Sequence, residues 1–229
     1  MSPQIPLALK FPPDRQFSDF HGNAEIRQAV EAVARGEGGD WLYIAGPVGS
    51  GKSHLLLAAC AEARRLKHAA SYLPVASVAG RLAQMLEGQD ATGLLCLDGI
   101  ESIAGNREDE VALFHFHNSM RQRGGRMIYA ATAMPLALGI GLPDLVSRLE
   151  QCTRLSLQPP DEATRRSVLR ERAARRGLEL DDAVLDFLFK RVGRDLVSLT
   201  ALLDKLDRAS LATQRRITVP FVRSVLDAS

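Results

Sequence analysis

An eight-residue run, Gly46-Pro47-Val48-Gly49-Ser50-Gly51-Lys52-Ser53, stands between a short β-prone apolar stretch, Trp41–Ala45, and a segment with helical spacing, Ser53–Leu66. Glycines at these positions let the backbone curl so that successive N–H groups converge on phosphate oxygens. The helix that follows adds the positive end of its dipole. Lys52 is long enough to reach β- and γ-phosphates, and Ser53 can ligate Mg²⁺. A strand before and a helix after are the context this motif requires, so the run reads as a phosphate-binding P-loop. Such a site needs an acid at the tip of a neighbouring buried strand. Leu94-Leu95-Cys96-Leu97-Asp98 supplies one, and Asp98 would hold Mg²⁺ through water. Many P-loop ATPases follow that acid with a second one that orients the attacking water. Here the next residue is Gly99, and Glu101 points elsewhere if the strand runs straight. The expectation is nucleotide binding with weak intrinsic hydrolysis.

The rest of the chain builds a sheet around this loop. Short apolar runs at Ala70–Val75, Gly93–Leu97, Arg126–Thr132 and Cys152–Leu157 join Trp41–Ala45 as five strands. Helical spacing falls between them, at Asn23–Arg35, Ser53–Leu66, Val78–Leu86, Glu108–Arg123 and Leu142–Leu149. Alternation of this kind predicts an α/β fold with a parallel sheet covered by helices on both faces. After Pro159-Pro160 the strands stop. Asp161–Arg176, Asp181–Val192, Arg194–Ala212 and a last helix capped by Thr218 predict a small all-helical domain. The expected organisation is a tail over 1–16, an α/β domain over 17–158 and a helical lid over 159–229.

Composition excludes several classes. Lys plus Arg number 29 against 27 Asp plus Glu, so the whole chain has no strong electrostatic footprint for nucleic acid. The arginines of Thr164–Arg176 alternate with Glu162 and Glu171 at helical spacing and read as a solvated helix face. Cys60, Cys96 and Cys152 lie in apolar segments without metal-ligand spacing, which suggests reduced thiols in a cytoplasmic protein. The start has no basic n-region followed by a long apolar core, and no run is long enough to cross a membrane. His115 and His117 lack further ligands around them and read as packing or surface residues.

Several stretches together resemble the AAA+ ATPases of the DnaA type, and within them the branch of DnaA regulatory inactivators. Phe17-Ser18-Asp19-Phe20 resembles the segment that contacts adenine. Gly46–Cys60, which includes His54, resembles the family's Walker A and its helix, and Cys96–Gly105 its Walker B region. Gly141–Leu149 resembles the box that carries an arginine finger, and Leu206–Leu226 the lid terminus. The resemblance implies an AAA+ five-stranded parallel sheet with a helical lid, binding an adenine nucleotide and Mg²⁺, with ADP favoured in the resting state. It implies Phe20, Gly46–Ser53, His54, Asp98, Thr132 and Arg194 as nucleotide-side residues. Arg148 would be the finger, acting in trans on ATP held by DnaA. Thr132 stands where relatives carry an acid or Asn, and Val197 stands where they carry a lid arginine, with Arg194 three residues earlier as the substitute.

The tail adds a partner. Gln4-Ile5-Pro6-Leu7-Ala8-Leu9 resembles the short peptide by which proteins dock on the DNA polymerase III sliding clamp (its β subunit). The whole implies a replication regulator that meets DNA indirectly through the loaded clamp and can form homo-oligomers. With no helix-turn-helix region after the lid and only a tail before the α/β domain, the expectation is a regulator and not an initiator. Two other readings compete: a self-contained or helicase-loader-like ATPase, and an adaptor in which nucleotide only stabilises the fold.

Overall fold

The computed structural model describes residues 15–89, 93–191, 196–213 and 216–227. The chain divides into two units, Met1–Gln158 and Pro159–Ser229. In the first, the apolar runs become strands β1 (Leu42–Ala45), β2 (Ala70–Pro74), β3 (Leu94–Asp98), β4 (Arg126–Ala131) and β5 (Thr153–Ser156). Every neighbouring pair is parallel, in the order β2-β3-β4-β1-β5. Parallel neighbours require crossovers, and helices form them. The helices of this unit are α1 (Ala24–Arg35), α2 (Lys52–Arg65), α3 (Leu82–Glu87), α4 (Arg107–Gln122) and α5 (Pro143–Glu150).

Side chains alternate between the faces of a strand, and both faces are buried here, which is why the strands read as unbroken apolar runs. Leu42, Ile44, Leu94, Cys96 and Ile128 pack with Val30 of α1 and Leu55 and Ala59 of α2. Tyr43, Leu95, Leu97, Met127 and Tyr129 pack on the opposite side with Leu82 of α3, Leu113 and Met120 of α4, and Leu145 of α5. β5 lies at one edge and is mostly exposed, as its Thr153, Arg154 and Ser156 suit. Cys60, Cys96 and Cys152 are free and buried.

One predicted helix is broken. After a 3-10 turn at Val75–Ser77, the expected helix over Val78–Leu86 does not begin until Leu82, as α3. Gly80 takes φ +79°, and buried Asp109 of α4 accepts the Gly80 and Leu82 amides at 2.5 and 3.0 Å. Apolar spacing within a window carries no sign of an acceptor held on a distant helix.

His117, on α4, is fully buried. Its Nδ1 lies 2.8 Å from the Tyr129 hydroxyl, and its ring meets Trp41 edge-on at 4.5 Å. Burial, and then the charges of Arg121 and Arg148, push its pKa from 6.5 down to about 4. The unfolded chain therefore binds more protons between those values. Stability is fullest above about pH 6.5 and falls as pH drops toward 4. Urea unfolding compared at about pH 7.5 and about pH 5 should show a loss at the lower pH that shrinks in a His117→Leu variant. Equal losses in both proteins would refute this account.

The second unit holds α6 (Glu162–Arg175), α7 (Asp182–Arg191), α8 (Leu196–Thr213) and α9 (Val219–Asp227). Asp161 caps α6 by accepting the Thr164 amide at 2.7 Å, and Thr218 accepts that of Phe221 at the start of α9. Leu169, Leu185, Leu188, Leu203, Leu206 and Phe221 form its core. Four arginines of α6 and its C-terminal end are engaged internally. Arg166 meets Glu162 and Asp186, Arg170 meets Asp182, Arg176 meets Asp204, and Arg172 meets the Thr200 hydroxyl. This is an ion-paired helix face, not an open basic patch. No described helix is long and apolar enough to cross a membrane.

Candidate nucleotide site

β1 delivers the chain to the carboxyl edge of the sheet, between β4 and β5. The Gly46 amide donates to the Ala131 carbonyl at 3.1 Å, extending the ladder one residue past the strand. A Cβ at Gly46 would stand 2.3 Å from the Leu157 carbonyl oxygen, so the backbone packing admits only glycine. Gly51 holds φ +102°, where other residues are strained, and α2 starts directly after it. Val48 is exposed at the tip of the loop. Lys52 is 8% exposed, and its Nζ donates to the Gly46 and Pro47 carbonyls at 2.5 and 2.9 Å. Burial lowers its pKa, while Asp98 and Glu101 act in the opposite direction. Ser50 Oγ is buried and has no hydrogen-bond partner among the described residues. An unsatisfied hydroxyl beside a cradle that no Cβ could share fits phosphate oxygens.

Phe20 follows a 3-10 turn at Phe17–Asp19 and lies over this loop. A Cβ on Gly51 would come 2.9 Å from the Phe20 ring, and the ring centroid is 5.9 Å from that of His54. His54 Nε2 in turn is 2.9 Å from the Gln16 carbonyl oxygen. Phe20, Gly51 and His54 therefore gather, offering an apolar ring plane suited to a nucleobase.

Asp98 ends β3, one strand away from the loop, across β4. The Tyr72 hydroxyl, from β2, donates to its Oδ2 at 2.7 Å, and Ser53 is exposed in the first turn of α2. Burial and the neighbouring Asp98 charge raise the Tyr72 pKa and keep the phenol protonated. Ser53 and Asp98 are hard oxygen donors of the kind Mg²⁺ takes. Among the described residues no group of three or more His, Cys, Asp or Glu could hold a metal by itself. Mg²⁺ would thus sit here together with phosphate oxygens.

Glu101 departs from expectation. The chain does not run straight after β3. Gly99 takes φ +77°, and a 3-10 turn over Ile100–Ile103 brings Glu101 Oε2 to 3.3 Å from the Thr132 amide at the end of β4. An acid therefore reaches the tip of the sheet after all, two residues later than usual. Arg15 is a further residue that sequence reasoning missed. Its charge acts on Tyr72, and its Nε is buried without a partner among the described residues. Tyr72 itself left one signal, its place on a strand beside β3, but strand order is not written in the local pattern.

Arg148 is elsewhere. It is half-buried on α5, between buried Leu145 and Leu149, and its Nη1 donates to Gln151 Oε1 at 3.3 Å. No described hydrogen bond or ion pair joins it to the P-loop. Glu110, 1% exposed on α4, fixes the approach to α5. Its Oε1 accepts the amides of Gly105 and Gly141, each at 2.9 Å. Gln4–Leu9, Arg194 and the Val197 side chain lie outside the described residues.

A P-loop after a central parallel strand, an acid at the tip of a strand two places away and a following helical unit define an AAA+ nucleotide-binding module. The family model described as the Hda lid domain matches residues 161–226. Domain III of the Thermotoga maritima replication initiation protein DnaA is similar at a TM-score of 0.80 and 26% identity, over 95% of this chain and 97% of that one. The chain thus shares the fold of DnaA domain III, and its helical unit is similar to the Hda lid domain. The fold extends to AMPPCP-bound DnaA from Aquifex aeolicus (TM-score 0.68, 24% identity, 85% of this chain and 65% of that one). It also extends to the RuvB Holliday junction branch migration motor of Thermotoga maritima (TM-score 0.68, 20% identity, 93% and 72%).

Proposed function

We propose that this chain is a DnaA-related regulator of chromosomal replication that stimulates hydrolysis of ATP held by DnaA and so prevents re-initiation. The observation that carries the reading is the Hda lid domain over residues 161–226 on a DnaA-like AAA+ module. Gln4, Ile5, Pro6, Leu7, Ala8 and Leu9 dock the chain on the DNA polymerase III sliding clamp, which brings it to DNA in the cytoplasm. Its own P-loop holds an adenine nucleotide, ADP in the resting state. Lys52 and the loop amides meet phosphate oxygens, Phe20 and His54 flank the base, and Thr132 and Arg194 complete the phosphate side. Ser53 and Asp98 would hold Mg²⁺ together with phosphate oxygens, and the ion would supply charge neutralisation there. Arg148 reaches the ATP of a neighbouring DnaA. Its guanidinium offsets the charge that builds on the transferring phosphoryl group as water attacks.

The test combines the chain with sliding clamp, DNA and ATP-loaded DnaA and follows phosphate release. Stimulation that needs all components supports the reading, and no stimulation overturns it. A second reading, a self-contained ATPase, is favoured by Glu101 beside Thr132, since an acid there could orient water. Rapid turnover by the chain alone would select it.

A further inference from the structure

Tyr72 has no place in the P-loop motif, yet it touches Asp98 on the metal side of the site. It projects from β2 onto the face shared with α2, where it packs against the core beside Cys96 and Leu55. The register pairs Tyr72 with Cys96, two residues before Asp98, and so on the same face of the sheet as Asp98. Its hydroxyl donates to Asp98 Oδ2 at 2.7 Å. Asp98 closes β3 and Ser53 opens α2. The phenol ties β2 to the tip of β3, a bond that the P-loop motif itself does not supply.

The direction of this bond matters. The phenol proton is committed to Asp98 Oδ2, which leaves the second Asp98 oxygen available toward the phosphate side. A hydrogen bond to an ionised carboxylate is among the stronger ones.

We propose that Tyr72 is a positioning residue for Mg²⁺, holding Asp98 in a metal-ready orientation through this hydrogen bond. The inference rests on the nucleotide-binding part of the proposed function and is independent of clamp docking and of Arg148.

The experiment measures binding of fluorescent ADP to the full chain and to Tyr72→Phe, each with Mg²⁺ and with EDTA. Phenylalanine keeps the ring and its packing and removes only the hydroxyl. The expected result is unchanged affinity in EDTA and loss of about tenfold of the Mg²⁺-dependent tightening, the scale of one hydrogen bond to a charged group. Equal Mg²⁺-dependent tightening in both proteins overturns the proposal. So does an equal loss with and without Mg²⁺, which marks a packing defect, and so does a wild-type chain that gains nothing from Mg²⁺. A wild-type chain that binds no ADP at all overturns the nucleotide reading along with the role of Tyr72, so the two failures are told apart.

Discussion

Replacing Lys52 with alanine is expected to weaken adenine-nucleotide binding by about a hundredfold or more, the usual cost of truncating one member of a buried charged pair. The ammonium is almost fully enclosed and already donates to two loop carbonyls, so it is held at the mouth of the Gly46–Ser53 curl before any ligand arrives. Nothing else described in the loop carries a positive charge. Titration with fluorescent ADP measures the loss, and thermal unfolding with and without ADP gives a second readout. Ligand at a hundred times its Kd stabilises a fold by about 2.7 kcal/mol. That increment should vanish in the variant. Retention of wild-type affinity would sink the assignment of this loop as the phosphate site.

Arg148→Ala should do the opposite. Its own nucleotide affinity stays at the wild-type level, while stimulated phosphate release from DnaA falls by about a thousandfold, the lower end of what an arginine finger contributes. The split follows from geometry. Arg148 rides on a helix anchored by Leu145 and Leu149 and approached through the buried Glu110 bonds, with no described contact to the chain's own loop. Lysine is expected to rescue poorly, because a point charge cannot reproduce a planar guanidinium fork. Stimulation that is untouched in Arg148→Ala would assign the chemistry to another residue.

These two residues differ in how far the sequence exposed them. Lys52 was legible because its surroundings are local. A strand, a glycine turn and a helix within one stretch produce the loop by themselves, and Gly46 is required by its closeness to the Leu157 carbonyl. The sheet was legible for a similar reason, since strands buried on both faces must be apolar throughout. Arg148 is proposed through family resemblance alone, because a partly buried arginine on a short helix has no local signature. Val78–Leu86 shows the limit from the other side. Its apolar spacing is helical, but Gly80 and the reach of Asp109 from α4 delay the helix to Leu82.

The sequence by itself determined the phosphate loop, the acid at Asp98, the alternation that demands a parallel sheet and the change to helices after Pro160, because each depends on residues close together along the chain. The tertiary structure alone decided what surrounds Asp98. The order β2-β3-β4 puts Tyr72 against it, and the left-handed turn at Gly99 swings Glu101 to Thr132. Such contacts depend on which strands become neighbours and where the chain reverses, and many different sequence separations satisfy the same hydrophobic pattern.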